Sequence, residues 1–199
     1  AAPPVTSVDS SIVASLRCPD AYPHAVDAVE FIETHISWVV LAGMHAYKIK
    51  KPVNFGFLDF SSLADRKRFC QEEIRLNRRM APDLYLDVVP ITETDSGAEI
   101  GGPGQVVEYA VRMKRFEQSA QLDNQLEAGL VTPSDMNGFA RRLATFHERA
   151  AVARGAMAEQ HPDQVHGAVM DNIETILRSR ILSADQREQV EKLEQWTQQ

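Results

Sequence analysis

Strand-like patterning in this chain is confined to the residues between Ala28 and Phe116, and that confinement limits the folds open to it. Between Ala28 and Pro52, Ile36, Trp38 and Val40 alternate with Ser37, Val39 and Leu41. Ala42-Gly43 reads as a turn, and Ala46-Tyr47-Lys48-Ile49-Lys50 resumes the alternation until Pro52 stops it. The pattern predicts a β-hairpin. Two further strands are read over Leu84 to Thr92 and Val106 to Phe116, the second with Tyr109, Val111 and Met113 on one face. Asp95-Ser96-Gly97 and Gly101-Gly102-Pro103-Gly104 mark turns between them.

Helical patterns fill the rest. Ser11 to Leu16 predicts a short helix. Ser62, with Asp65 three residues on, opens a longer one that runs to Met80 before Ala81-Pro82 ends it. Phe69, Leu76 and Met80 are spaced for its apolar stripe. After Phe116 no strand pattern returns. Pro133-Ser134-Asp135 starts a helix carrying Phe139, Leu143 and Phe146, and Asn172 to Leu182 and Ala184 to Trp196 are two more. Strands first and helices afterwards indicate an α+β fold in two lobes. The expected division is a tail and short helix over 1–25, a sheet-bearing small lobe over 26–116 and a helical, incomplete large lobe over 117–199.

Composition excludes several classes. The 199 residues carry a net charge of −7, which argues against a general nucleic-acid binder. Met44 to Met80 nevertheless holds nine Lys/Arg against four Asp/Glu. A local basic patch of this kind suits a small anionic ligand such as a phosphate, the alternative being solvated helix faces. The longest apolar run, Trp38 to Met44, is far short of the ~20 residues that span a bilayer, so no membrane association is expected. Cys18 and Cys70 form no CxxC, which points to a reducing, cytoplasmic setting. Ala-Ala-Pro-Pro at the start reads as a flexible tail without signal-peptide character. The His residues are scattered, and no GxSxG, HExxH, EF-hand loop or Walker A pattern is present.

The chemistry concentrates on one strand and the helix that follows it. Ala46 and Lys48 lie two apart and share a strand face, so a small side chain sits beside an ammonium. A small residue there leaves room for adenine, while the Lys reaches phosphates. Phosphoryl transfer depends chiefly on positioned positive charge. Such a Lys needs a carboxylate to fix it. Glu73 shares its helix stripe with Phe69, Asn77 and Met80 and faces the sheet, whereas Glu72 points elsewhere. Taken singly, Lys48 and Glu73 also read as surface charges; their order and the elements between them favour a pair. Lys50 lies on the same face as Lys48 and also fits; the Ala two residues earlier favours Lys48.

The stretches Glu33 to Gly43, Tyr47-Lys-Ile-Lys-Lys-Pro-Val, Phe57-Leu-Asp-Phe-Ser, Glu72-Glu-Ile-Arg-Leu-Asn-Arg-Arg and Ala81-Pro-Asp-Leu-Tyr-Leu resemble the aminoglycoside-phosphotransferase-like domain, which has a protein-kinase-like fold. The nearer resemblance is to bacterial proteins in which that domain precedes a P-loop kinase-type domain. The likeness is dense from Cys18 to Phe116 and thinner to His147.

This resemblance implies ATP as cofactor, with Lys48 on the phosphates and Glu73 as its partner. It implies adenine bonded to hinge main chain near Met113, Lys114, Arg115 and Phe116, and a small-molecule hydroxyl as phosphoryl acceptor. His147, at the end of Ala140-Arg-Arg-Leu-Ala-Thr-Phe-His, is expected as a packed structural His.

Two departures stand out. No Gly-rich loop lies between the first strands, so any phosphate-covering loop is Thr34-His35-Ile36-Ser37, with backbone amides and the Thr34 and Ser37 hydroxyls as donors. The family's His-Gly-Asp-x-x-x-x-Asn loop is missing as well. His166-Gly167 is followed by Ala168, and Asp171-Asn172 has the wrong spacing. The sequence is therefore expected to be a portion of a longer protein, with Mg²⁺ held only in the complete parent domain.

Overall fold

The computed structural model describes residues 7–56, 58–95, 97–152, 156–179 and 181–197. Phe57 of the third resembling stretch and Ser96 of the predicted turn lie outside them, as do residues 1–6 of the expected tail. The chain divides into two compact units, the first reaching to Phe146 and the second spanning His147–Gln199.

The first unit is built on a six-stranded antiparallel sheet in the order β1-β2-β3-β6-β4-β5. β2 (Ser37–Ala42) and β3 (His45–Lys50) form the expected hairpin around Gly43-Met44, with Ala42 opposite His45 and Ser37 opposite Lys50. Gly43 has φ +55°, a left-handed conformation that glycine adopts without steric cost. The two later strands are β4 (Tyr85–Thr94) and β6 (Val106–Lys114). The sheet also contains β1 (Val29–Glu33), paired with β2, and β5 (Gly97–Ile100), paired with β4. Both edge strands are short, and β1 carries Glu30 and Glu33 outward, so neither shows a sustained alternation.

The two faces of the sheet are covered differently. On one, Tyr47, Ile49, Ile91, Ile100 and Ala110 pack with Ile12 and Leu16 at the end of α1 (Ser7–Ser15) and with Tyr22 after the 3-10 turn Pro19–Ala21. On the other, Val111, Tyr109 and Met113 pack against Cys70 and Ile74 of α2 (Leu63–Asn77). Tyr109, Val111 and Met113 thus share a face, as the strand period requires.

Ser62 caps α2. Its hydroxyl accepts from the Asp65 amide at 3.0 Å and donates to Asp65 Oδ2 at 2.6 Å. The buried stripe of α2 is Arg66, Cys70 and Ile74, with Phe69 and Glu73 on its flank. Leu76, expected on the stripe, is 40% exposed, and Met80 lies past the end of the helix. Leu76 falls two residues from Ile74, some 200° around the helix, and the Arg66 stem occupies the place of an apolar residue.

After β6 come α3 (Leu122–Glu127) and α4 (Pro133–Arg149). Leu143 and Phe146 are half-buried, the Arg79 guanidinium standing 5.0 Å from the Phe146 ring centroid. His147, expected to be packed, is exposed.

In the second unit α5 (Ala156–Arg178) packs on α6 (Ala184–Thr197). The helix expected to begin at Asn172 and run to Leu182 begins sixteen residues earlier and ends at Arg178. Pro162 and Gly167, both weak helix formers, hide its first half in the sequence. Among the described residues no helix is long and apolar enough to cross a membrane.

Candidate functional site: a cavity under the Lys48–Glu73 pair

Strand pairing puts the residues of the site on one face. Val39 lies opposite Lys48 and Leu41 opposite Ala46 in β2–β3; Ile32 of β1 pairs with Val39, and Met113 of β6 with Ala46. Because side chains alternate along each strand, all six point to the same side of the sheet. With Thr34, Leu84, Tyr85, Arg115, Phe116, Gln118 and Gln121 they line a cavity of about 390 Å³, within the usual range of small-molecule pockets.

Two of the lining side chains are cationic, Lys48 and Arg115, and Lys48 belongs to a cluster of three charges. Lys48 Nζ donates to Glu73 Oε1 at 2.8 Å, and Lys50 Nζ donates to Glu73 Oε2 at 2.7 Å. The Lys48 side chain is 31% exposed, that of Glu73 12% and that of Lys50 only 6%. Lys50 Nζ also stands 4.9 Å from the centroid of the Phe60 ring. Burial pushes the Glu73 carboxyl up, but hydrogen bonds from the two ammoniums and their charges pull it the other way, and it lies below its usual value. Burial and then the Glu73 charge push the Tyr85 phenol up, against an opposing effect of Lys48. Burial pushes the neighbouring Cys70 thiol up to about 12, which leaves it unreactive. Glu72, by contrast, forms an exposed pair with Arg75.

Six of the residues singled out in the sequence line this cavity: Thr34, Ala46, Lys48, Met113, Arg115 and Phe116. Glu73 reaches it through Lys48, and Lys50 stands behind Glu73 and away from the lining. Lys114 is exposed. Of the expected hinge amides, that of Lys114 donates to Leu84 O and that of Arg115 to Met44 O, each at 2.9 Å. These two are committed within the fold.

The Thr34–Ser37 segment is a tight turn. The Thr34 amide donates to Ser37 O at 2.9 Å, the Thr34 hydroxyl donates to the same oxygen at 3.0 Å, and the Ser37 amide donates back to Thr34 Oγ1 at 3.0 Å. Three of the donors expected to face a phosphate are therefore used inside the turn, and Ser37 is fully buried. A short antiparallel connection satisfies its own backbone first, because buried amides left unpaired are costly.

Sequence reasoning missed Ile32, Val39, Leu41, Leu84, Tyr85, Gln118 and Gln121. Val39 and Leu41 were recoverable, since a two-residue turn at Gly43-Met44 places them opposite Lys48 and Ala46. The glutamines carry no signal of their own. Among the described residues no three His, Cys, Asp or Glu side chains come together in a metal-holding group.

Fold and cavity together define an α+β protein in which a lysine of the antiparallel sheet, in the lining of a cavity, pairs with a carboxylate of α2. The chain is 35% identical over 132 residues to uncharacterized protein Rv2004c of Mycobacterium tuberculosis, and equally to uncharacterized protein Mb2027c of Mycobacterium bovis. The match covers 66% of this chain and 25% of each relative, so the chain spans about a quarter of the length of the curated relatives it matches. No family model matches the chain, and no solved structure matches it.

Proposed function

We propose that the cavity is the nucleotide site of a protein-kinase-like small lobe of the aminoglycoside-phosphotransferase type, and that it takes ATP. The observation that carries this reading is the Lys48–Glu73 bond of 2.8 Å, with Lys48 itself in the lining of a cavity walled by β1, β2, β3 and the segment after β6. Ala46 and Met113, paired across β3 and β6, supply apolar surface for a base. Lys48 supplies a charge for phosphates, and Glu73 holds that charge in one place. In a longer parent protein the reaction would be transfer of the γ-phosphoryl group to a small-molecule hydroxyl, beside a C-terminal P-loop domain.

A second reading, a nucleotide-sensing or docking module that regulates a neighbouring kinase domain, is favoured by one observation. The His166-Gly167-Ala168 segment lies inside α5, without an Asp and without a loop to present one.

The test is calorimetric titration of the chain with ATP. Lys48→Ala should weaken binding at least tenfold, the scale of one charge-assisted hydrogen bond of about 1.5–3 kcal/mol, with an unchanged circular dichroism spectrum. Unaltered affinity in that variant would remove the assignment.

A further inference from the structure

Lys50 is the least expected member of the charged triad. It is almost fully buried, its Nζ is 2.7 Å from Glu73 Oε2, and it does not line the cavity. Buried ammoniums persist only where their charge is met, and Glu73 already has a partner in Lys48. One carboxylate between two ammoniums leaves a net positive charge beside the cavity. A lone Lys–Glu pair leaves none.

We propose that Lys50 is a positioning residue that sets the anion affinity of this cavity. It occupies the second oxygen of Glu73 and so frees the charge of Lys48 for a phosphate-bearing ligand that Lys50 does not touch. The inference rests on the phosphate-binding reading given above. Lys50 is withdrawn from solvent, so salt screens its contribution less than that of an exposed lysine. It also keeps Glu73 from folding wholly onto Lys48 Nζ, which would hide from the ligand the one ammonium that faces the cavity.

The test compares inorganic tripolyphosphate, ATP and adenosine as ligands of the full 199-residue chain, by calorimetry at low salt. Lys50→Met keeps a stem over Phe60 and removes the charge. It should weaken tripolyphosphate and ATP about tenfold and leave adenosine unchanged. Lys50→Arg should restore most of the loss. The double variant Lys50→Met/Glu73→Gln returns the net charge to that of the native triad, now on Lys48 alone, and should regain part of the lost affinity. A lysine that merely props α2 against the sheet predicts no such recovery.

Should Lys50→Met fail to fold, Lys50→Gln, which keeps a polar group beside Glu73 and removes the charge, decides the matter. It should lose tripolyphosphate affinity to a similar extent and keep that for adenosine, and unchanged tripolyphosphate affinity overturns the inference. Unchanged tripolyphosphate affinity in Lys50→Met, or an equal loss for adenosine, also overturns it, while the Lys48→Ala result keeps the nucleotide reading standing. A native chain that binds neither ATP nor tripolyphosphate removes both.

Discussion

Arg66 Nε donates to Glu108 Oε2 at 2.7 Å, and both side chains are almost wholly withdrawn from water, at 9% and 3% exposure. Arg66 Nη1 also donates to Phe60 O and Ser61 O, each at 2.9 Å. A single guanidinium thus fastens the loop before α2, the first turns of α2 and the start of β6. Arg66→Met removes the cation bonded to the buried Glu108 carboxylate, and the expected loss is about 3–5 kcal/mol. Urea unfolding at neutral pH measures it. Adding Glu108→Gln should recover a good part, because the buried charge is then gone.

Glu73 makes stability depend on acid. Its carboxyl lies below its usual value of 4.5 because two ammoniums outweigh the effect of burial. A depressed folded-state value means that the unfolded chain takes up the proton first. The stabilisation is fully present above pH 4.5 and is lost as pH falls through the lower, folded value. Unfolding free energy followed from neutral pH downward should therefore fall more steeply in the native chain than in Glu73→Gln. Parallel curves would show that Glu73 contributes nothing to the acid limb.

Gly43 and Gly129 separate conformational strain from steric exclusion. Both have left-handed backbones, with φ +55° and +67°. A Cβ on Gly43 would stand 2.9 Å from Ala25 O, whereas one on Gly129 meets open space. Gly129→Ala should cost only the left-handed penalty of about 1–2 kcal/mol. Gly43→Ala should cost clearly more in the same thermal or urea unfolding, because the β2–β3 turn must also move away from the segment before β1.

The chain is expected to bind ATP without turning it over. Rate in phosphoryl transfer comes from groups that neutralise charge developing in the transition state, and Lys48 alone binds ground state and transition state about equally. ATP consumption with Mg²⁺ and a panel of hydroxylated acceptors should match a Lys48→Ala control. Turnover that disappears in the control would reveal a base and metal site on this chain.

Local patterns carried much of this fold. Ser62 and Asp65 announce the start of α2 because a cap is satisfied within four residues. The β2–β3 hairpin is legible because alternation and a turn glycine are both local. Ala46, Lys48 and Glu73 emerge from the same periods, since residues two apart on a strand or four apart on a helix share a face.

Other features needed the tertiary structure. β1 and β5 form because neighbouring strands offer them unpaired edges, and no pattern in five or four residues reveals that. Leu76 looks apolar enough for the core, yet the buried face of α2 turns on Arg66, whose partner Glu108 is 42 residues away. Lys48 and Lys50 are indistinguishable by period. Pairing across the sheet sets Lys48 opposite Val39, in the wall of the cavity, and Lys50 opposite the buried Ser37, under Phe60. Alternation reports which face a side chain occupies. Its depth beneath that face depends on what distant segments lay over it, and that is decided only when the chain packs.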